Sequence, residues 1–171
     1  MKQIRWGVLG TAQIAEGQTI PGMQKAKNCE LYAIAGRSME KAERFRDRFH
    51  FQKAYGNYDD LLNDPEVEAV YIPLPNNLHK EWVLKAAACK KHVLCEKPAS
   101  GSAADTKEMI QACEDAGVIF MEAFAYLHSP VMKELKRQIE DGLIGDVNMI
   151  ESVFYTSGYE DDIRIRRDTL G

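Results

Sequence analysis

Short apolar runs alternate with longer amphipathic stretches over the first 125 residues, and this alternation constrains the fold more than any other feature of the sequence. The runs are rich in Val, Ile, Leu and Ala, which is typical of strands buried on both faces of a sheet. They predict strands at residues 4–9, 31–35, 69–72, 92–95 and 118–123.

The stretches between these strands carry the start and stop signals of helices. Ser38 predicts the start of a helix that runs to residue 49, and Ser102 predicts one that ends before Gly117. A third helix, between these two in the sequence, is predicted to start at either Asn76 or Asn77. Strands that alternate with helices predict an α/β protein with a doubly wound parallel sheet and right-handed crossovers. Because such sheets bind ligands beyond the carboxyl ends of their strands, we expect function in those loops.

The charge balance excludes several classes of partner. The sequence has 26 acidic and 22 basic residues and a net charge of −4, so no overall positive field would hold nucleic acid or an anionic membrane. The four cysteines form no C-x-x-C pair, which predicts reduced thiols and no metal site. The N-terminus does not have the pattern of a secretory leader, and no run approaches the ~18 apolar residues of a membrane span. We therefore expect a cytoplasmic protein.

The first predicted strand runs into a turn that resembles a dinucleotide-binding motif. Such a motif needs small residues at three positions, for the tight turn, for the approach of a pyrophosphate and for helix–strand packing. Gly10, Ala12 and Ala15 occupy those positions, and only the first is glycine. The motif is therefore degenerate, and an ordinary tight turn is the alternative interpretation.

The second predicted strand is followed by Gly36, Arg37 and Ser38, with Lys41 one helical turn further on. An NAD-selective site would place a carboxylate at the end of this strand, but the nearby acid, Glu30, lies at its other end. Positive charge and a hydroxyl group suit a 2′-phosphate, so the sequence favours NADP, with NAD as the other possibility. The alternative is a helix-capping serine beside solvated basic residues.

Two further loops follow predicted strands. Pro73 and Pro75 stiffen the first of them, which suits a wall against a flat ligand such as a nicotinamide ribose. A lone histidine in the first helical turn, as at His79, is more often a structural hydrogen-bond donor than a catalyst. In the second loop, Glu96-Lys97-Pro98 follows the strand at 92–95. A lysine there would lie beside the cofactor and exchange a proton with a substrate oxygen, whereas a randomly chosen lysine is a solvated surface residue.

With these residues the chain resembles the Gfo/Idh/MocA family of NAD(P)-dependent oxidoreductases, which includes glucose-fructose oxidoreductase, inositol dehydrogenase and dimeric dihydrodiol dehydrogenase. The resemblance spans nearly all 171 residues. Its most specific parts are residues 71–79 and 91–98, the second of which contains Glu-Lys-Pro. Residues 122–124 and 128–130 are similar to the segment in which the family crosses from cofactor domain to substrate domain.

The resemblance implies a Rossmann domain that binds NAD(P) and a hydride transfer between nicotinamide and the alcohol or carbonyl of a sugar, cyclitol or dihydrodiol. It implies that Lys97 is the catalytic lysine and that the enzyme is a homo-oligomer acting on a small polyol or sugar-like molecule. The residues and the resemblance together give a candidate cofactor-binding set and no metal ligand; the set is Gly10, Thr11, Ala12, Gln13, Ile14, Arg37, Ser38, Lys41, Pro73, Leu74, Asn76, His79 and Glu96.

The pattern of the sequence changes after Ala125. Pro130 predicts the start of a helix that runs to about residue 141, Gly142 and Gly145 predict a turn, and residues 147–155 predict the first strand of another sheet. We therefore divide the chain into a Rossmann domain at 1–125 and the truncated start of an α+β substrate and dimerisation domain at 126–171. The charged segment at 161–168 follows that strand.

The chain departs from the family pattern at three places. Lys90 stands where the family usually has glycine, which predicts strain at the end of a helix. Ala12 replaces the second glycine of the motif. The sequence also ends where the family would enter the segment that completes its active site, so we expect the 171 residues alone to be inactive. The alternatives are a non-catalytic NADP-binding module or sensor and, less favoured, a structural subunit that assembles through the unpaired strand.

Overall fold

A single parallel sheet organises the part of the chain that the structure, a computed structural model, describes: residues 2–155, 157 and 169. Its six strands are β1 (Ile4–Leu9), β2 (Cys29–Ala35), β3 (Lys53–Tyr55), β4 (Ala69–Ile72), β5 (His92–Cys95) and β6 (Phe120–Glu122). They lie in the order β3-β2-β1-β4-β5-β6, and every neighbouring pair is parallel. This confirms the predicted doubly wound α/β fold, with the first strand of the chain in the interior of the sheet.

Helices connect the strands across both faces of the sheet. They are a π-helical segment (Ala15–Thr19), α1 (Ile20–Lys25), α2 (Met39–Phe49), α3 (Tyr58–Asn63), α4 (Asn76–Ala88), α5 (Ala103–Asp115), a 3₁₀ segment (Ala125–His128) and α6 (Pro130–Glu140). None of the helices in this part of the chain is both long and apolar enough to cross a membrane.

Side-chain caps start three of these helices. Ser38, Asn57 and Ser102 each accept a hydrogen bond from the backbone N–H three residues later, which confirms the predicted starts at Ser38 and Ser102. The predicted asparagine cap of α4 is wrong, because Asn76 is already the first helical residue. Pro75 precedes it with φ −57° and ψ 146°, so the rigid loop sets the start of this helix.

The strands at 4–9, 69–72 and 92–95 are confirmed to the residue, whereas others differ. β2 begins at Cys29, two residues before the predicted start, and β6 is shorter than the predicted 118–123. β3 and α3 were not predicted from the sequence. These elements have three and six residues, which is too short for a hydrophobic period to show.

The core has two layers, one on each face of the sheet. Val8, Ile34 and Tyr71 face one layer, which the π-helical segment, α1 and α2 cover. Leu9, Val70 and Ile72 face the other layer, beneath α3, α4 and α5. Successive strand residues alternate between the two layers, so the strands are apolar throughout, as burial on both faces requires.

The segment after α6 differs from its prediction. The helix from Pro130 is confirmed, and Gly142 and Gly145 turn with φ of 82° and 68°. The strand predicted at 147–155 is wrong, because no strand pairing forms there and Met149 and Phe154 are exposed. A strand is stable only beside a hydrogen-bonded partner, and the described residues supply none. The charged segment at 161–168 lies outside the described residues.

Candidate active site

Four predicted segments meet at one edge of the sheet, which we call the carboxyl edge: the loops after β1, β2, β4 and β5. Parallel pairing brings them together, because these strands are neighbours and their last residues are in register. Gly10 N donates to Ala35 O at 2.8 Å, and Glu96 N donates to Ile72 O at 3.1 Å. The candidate cofactor-binding residues are therefore carried by four adjacent strand ends.

The loop after β1 makes the tight turn that the motif predicts. Gly10 has φ +120°, and a Cβ atom there would lie 3.1 Å from Leu74 Cδ2, so both the conformation and the space favour glycine. Glu16 N donates to Ala12 O at 3.0 Å, and residues 13–25 continue as helical turns. Ala15 is fully buried against the sheet, which is the role of the third small residue.

The loops after β1 and β2 lie against each other. A Cβ atom at Gly36 would lie 3.3 Å from Ser38 O and 3.6 Å from Thr11 Cγ2. Ala12 and Thr11 are half-buried there, while Gln13 and Ile14 are exposed on the first helical turn. Small residues thus form a shallow cradle of backbone at the start of a helical segment, which fits a dinucleotide pyrophosphate.

The residues predicted to select the cofactor lie at the end of β2. Arg37 and Lys41 are exposed, and the Ser38 hydroxyl oxygen accepts from Lys41 N at 3.5 Å, so the capping interpretation holds for Ser38. Its hydroxyl proton remains available to a ligand. Glu30 lies at the opposite end of β2, 3.4 Å from Arg5 Nε. Glu40, which was given no role from the sequence, is an acid in the first turn of α2.

Side chains from three elements fix the loop that contains Lys97. Tyr71 on β4 donates its hydroxyl proton to Glu96 Oε1 at 2.7 Å, and Glu122 on β6 accepts from Ala99 N at 2.8 Å. A ring nitrogen of His79 on α4 lies 2.9 Å from Pro98 O. The Lys97–Pro98 peptide bond is cis. Lys97 itself is exposed, and no carboxylate among the described residues forms an ion pair with its ammonium group.

Tyr71 also joins this loop to the π-helical segment after β1. Thr19 Oγ1 lies 2.9 Å from the Tyr71 hydroxyl. Burial and the hydrogen bond to Glu96 raise the pKa of Tyr71 far above its usual range, although the hydrogen bond with Thr19 opposes this. Tyr71 therefore stays protonated and donates to Glu96, and Thr19 donates to Tyr71. A continuous polar chain runs from the π-helical segment to the residue before Lys97.

His79 is buried under the loops of the carboxyl edge and contacts their backbone. The resemblance places His79 in the cofactor lining, but its side chain is fully buried, with Nε2 2.8 Å from Leu74 O and Nδ1 2.9 Å from Pro98 O. Both ring nitrogens are engaged, so the structure assigns it the structural part that a lone histidine usually has. It holds the Pro73 and Lys97 loops together, while Asn76 is half-buried at the start of α4.

Thr19, Tyr71 and Glu122 were given no role from the sequence, although Tyr71 and Glu122 lie in segments that carry the family resemblance. A polar side chain within an otherwise apolar strand was the available signal for Tyr71, because such a group needs a partner when buried. No group of three or more His, Cys, Asp or Glu side chains in the described ranges is placed to hold a metal ion.

The parallel sheet, the glycine turn after β1 and the anchored lysine after β5 define a dinucleotide-binding Rossmann domain of the oxidoreductase type. Residues 4–124 match the model of the Gfo/Idh/MocA oxidoreductase family, NAD-binding Rossmann fold, and the chain belongs to this family.

Relatives in this family act on sugar-like and diol substrates according to their names. The chain is 41% identical over 167 residues to D-xylose 1-dehydrogenase (NADP(+)) 2 of Haloferax volcanii, covering 97% of this chain and 51% of that protein. It is 36% identical over 152 residues to trans-1,2-dihydrobenzene-1,2-diol dehydrogenase of Mus musculus, covering 88% of this chain and 46% of the relative. The chain thus spans about half the length of the curated relatives it matches.

A solved structure with the same fold is KijD10, a 3-ketoreductase from Actinomadura kijaniata in complex with NADP and TDP-benzene. The TM-score is 0.80 at 36% sequence identity, and the match covers 85% of this chain and 44% of KijD10.

Proposed function

We propose that these residues form the cofactor-binding part of an NADP-dependent oxidoreductase that acts on the alcohol or carbonyl of a sugar, cyclitol or dihydrodiol. The observation that carries the proposal is Lys97, an exposed lysine on a loop that Tyr71, His79 and Glu122 fix at the same edge of the sheet as the glycine turn. A lysine with no structural ion pair, at the ligand-binding edge of a Rossmann sheet, is suited to proton transfer.

The nicotinamide ring supplies or accepts the hydride when the cofactor is bound. The Gly10 turn, with Thr11 and Ala12, would bind the pyrophosphate, and Pro73, Leu74 and Asn76 would form the wall above β4. Glu96 is held by Tyr71 and keeps the Lys97 loop in place. As the neutral amine, Lys97 takes the hydroxyl proton of an alcohol substrate. In the reverse direction its ammonium group returns a proton to the carbonyl oxygen.

We propose NADP as the preferred cofactor because Arg37 and Lys41 are exposed at the end of β2 and Glu30 is at the far end. Contacts from a charged donor to a phosphate contribute about 1.5–3 kcal/mol, so we expect NADPH to bind at least tenfold more tightly than NADH. The relatives whose names include NADP support the same choice.

Titration of NADPH and NADH into the wild-type chain and the Arg37→Ala variant tests this proposal. We expect the substitution to weaken NADPH binding and leave NADH binding nearly unchanged. The matched control is Arg44→Ala, which removes the same charge from an exposed position on the second turn of α2. Equal affinities in the wild type, or an NADPH preference that Arg37→Ala leaves intact, would contradict the assignment.

The domain division at 125/126, a cytoplasmic location and assembly into a homo-oligomer are further parts of the proposal. The change from sheet-forming strands to the exposed helix α6 supports the division. The free thiols support a reducing compartment. A non-catalytic NADP-binding module is the second candidate, because the glycine turn after β1 would hold a dinucleotide whether or not Lys97 transfers a proton. Turnover of a polyol panel by the product of the native gene separates the two.

A further inference from the structure

Tyr58 is a residue at the carboxyl edge to which neither the family motifs nor the sequence analysis assigns a role. It is the first residue of α3, immediately after the Asn57 cap. Its ring packs edge-on against Trp82 with 4.9 Å between centroids and an interplanar angle of 86°. This contact fixes the ring, so the position of its hydroxyl group is defined.

The Tyr58 hydroxyl points to the glycine turn. Its oxygen lies 3.8 Å from the position that a Cβ atom on Gly10 would occupy, and Leu74 Cδ2 lies 3.1 Å from the same position. Segments after β1, before α3 and after β4 therefore converge at one point. A dinucleotide that approaches the Gly10 backbone would pass within reach of this hydroxyl.

The hydroxyl has unused hydrogen-bonding capacity. Tyr55 and Tyr71 donate to Asp64 and Glu96, whereas within residues 2–155, 157 and 169 the Tyr58 hydroxyl has no hydrogen-bond partner. No buried side-chain oxygen or nitrogen in that part of the chain lacks a partner, so this hydroxyl reaches solvent at the edge.

The Tyr58 phenol is a donor at neutral pH. Burial raises its pKa, and the positive charge of Arg37 opposes that rise without reversing it. Tyr58 follows β3 in the chain and lies against the turn after β1. Lys97 follows β5, which β4 separates from β1 in the sheet.

We propose that the Tyr58 hydroxyl donates a hydrogen bond to an oxygen of the adenosine ribose or the pyrophosphate of the bound dinucleotide. This inference rests on the proposed cofactor binding and extends it. Because these oxygens are common to NADP and NAD, Tyr58 contributes to affinity for both, while Arg37 discriminates between them. Tyr58 is thus a cofactor-binding residue that does not select the 2′-phosphate.

The test uses Tyr58→Phe, which keeps the ring against Trp82 and removes only the hydroxyl. NADPH, NADH and ADP-ribose are titrated into the wild type, Tyr58→Phe, Arg37→Ala and the control Tyr32→Phe, which alters a buried phenol on β2. ADP-ribose isolates the shared part of the cofactor. Thermal unfolding without ligand verifies that each variant is folded.

We expect Tyr58→Phe to weaken the binding of all three ligands by about 2- to 10-fold, with the ratio of the NADPH and NADH affinities unchanged. Arg37→Ala should change that ratio, and Tyr32→Phe should change neither quantity. Unaltered ADP-ribose affinity in folded Tyr58→Phe overturns the inference, as does weakening of NADPH alone. If the wild type binds none of the three, the proposed function itself fails. If the wild type binds the ligands and Tyr58→Phe binds ADP-ribose with the same affinity, only the role of Tyr58 is refuted.

Discussion

The position of Lys97 is set by the contacts of its neighbours in the loop more than by contacts of its own side chain. Its side chain is exposed, while the loop around it is fixed through Glu96, Pro98 and Ala99 by side chains on β4, α4 and β6. A proton-transfer group must be held within hydrogen-bond reach of its substrate. The polar anchors therefore give this exposed lysine a defined position.

Replacing Lys97 with methionine should abolish turnover in the product of the native gene and largely preserve cofactor binding. Loss of a positioned acid–base group costs about 10² to 10⁴ in rate, whereas the Gly10 turn that we assign to the pyrophosphate is unchanged. Measurement of kcat and cofactor Kd in the same preparation checks this. Lys107→Met, an exposed lysine on α5, is the control. More than about a tenth of wild-type kcat in Lys97→Met would remove the proposed role.

Removing the Tyr71 hydroxyl should destabilise the fold. Tyr71→Phe keeps the buried ring but removes the partner that Glu96 and Thr19 share, and the loss of a hydrogen bond costs about 0.5–1.5 kcal/mol. Urea unfolding should give a lower free energy of unfolding for the variant than for the wild type, at an unchanged m-value. Thr19→Val, which removes one of the two hydrogen bonds, should lower the free energy of unfolding by less. Equal stability of Tyr71→Phe and wild type would show that the polar chain contributes nothing.

At the scale of elements, the turn between α4 and β5 contains backbone strain that a substitution can relieve. Lys90 has φ 55°, in the left-handed region where a side chain crowds the backbone, as its place in a usual glycine position predicts. Lys90→Gly should raise the free energy of unfolding by about 0.5–1 kcal/mol, because the relief of strain exceeds the entropy that glycine adds to the unfolded chain. Lys90→Ala, which keeps the Cβ atom, is the control and should not be stabilising.

The junction of β3 with the turn after α3 should lose stability in acid. Burial raises the pKa of the Asp64 carboxyl, but hydrogen bonds from Lys53 and Tyr55 outweigh it and hold the pKa below its usual range. The stabilising carboxylate form is complete above about pH 4 and is lost as pH falls through the lowered value. Asp64→Asn should cost about 1–3 kcal/mol at pH 7.

Urea unfolding of wild type and Asp64→Asn between pH 7 and pH 2 measures this difference. It should shrink as the pH falls below 4, because protonation then removes the same charge from the wild type. A difference that is constant across this range would show that Asp64 does not stabilise the junction as a carboxylate.

The elements also show what a sequence can and cannot predict. β1, β4 and β5 have enough adjacent apolar residues to be located to the residue, and the loops after them contain the predicted motifs. The contacts that fix the site join distant positions, such as Tyr71 with Glu96 and Glu122 with Ala99. Those pairings depend on strand register and side-chain direction, which local patterns do not contain. The false strand at 147–155 shows the same limit, since pairing requires a partner.

At the scale of the whole molecule, α6 presents an apolar surface that the Rossmann core does not cover. Val131, Leu135 and Ile139 lie at spacings of four residues along one helix face and are 74%, 48% and 36% exposed. Leu143 and Ile144 follow them and are also exposed. Exposed apolar surface of this kind favours association.

The 171-residue chain should therefore self-associate through α6 at micromolar concentration. Light scattering should give a mass above 19.3 kDa that falls towards the monomer in the Val131→Glu, Leu135→Glu double variant. Lys133→Glu, a change of charge at an exposed polar position of the same helix, should have little effect. A wild-type chain that is monomeric throughout would contradict the prediction.

The interior position of β1 matters while the protein is being synthesised. β1 is made first of the six strands of this sheet, yet its two neighbours are β2 and β4. At about 5–20 residues per second, the ribosome takes on the order of seconds to pass from β2 to β4. During that interval one edge of an apolar strand has no hydrogen-bonded neighbour and is open to other strands. A strand that is paired on both edges in the finished fold is thus vulnerable to mispairing in the nascent chain.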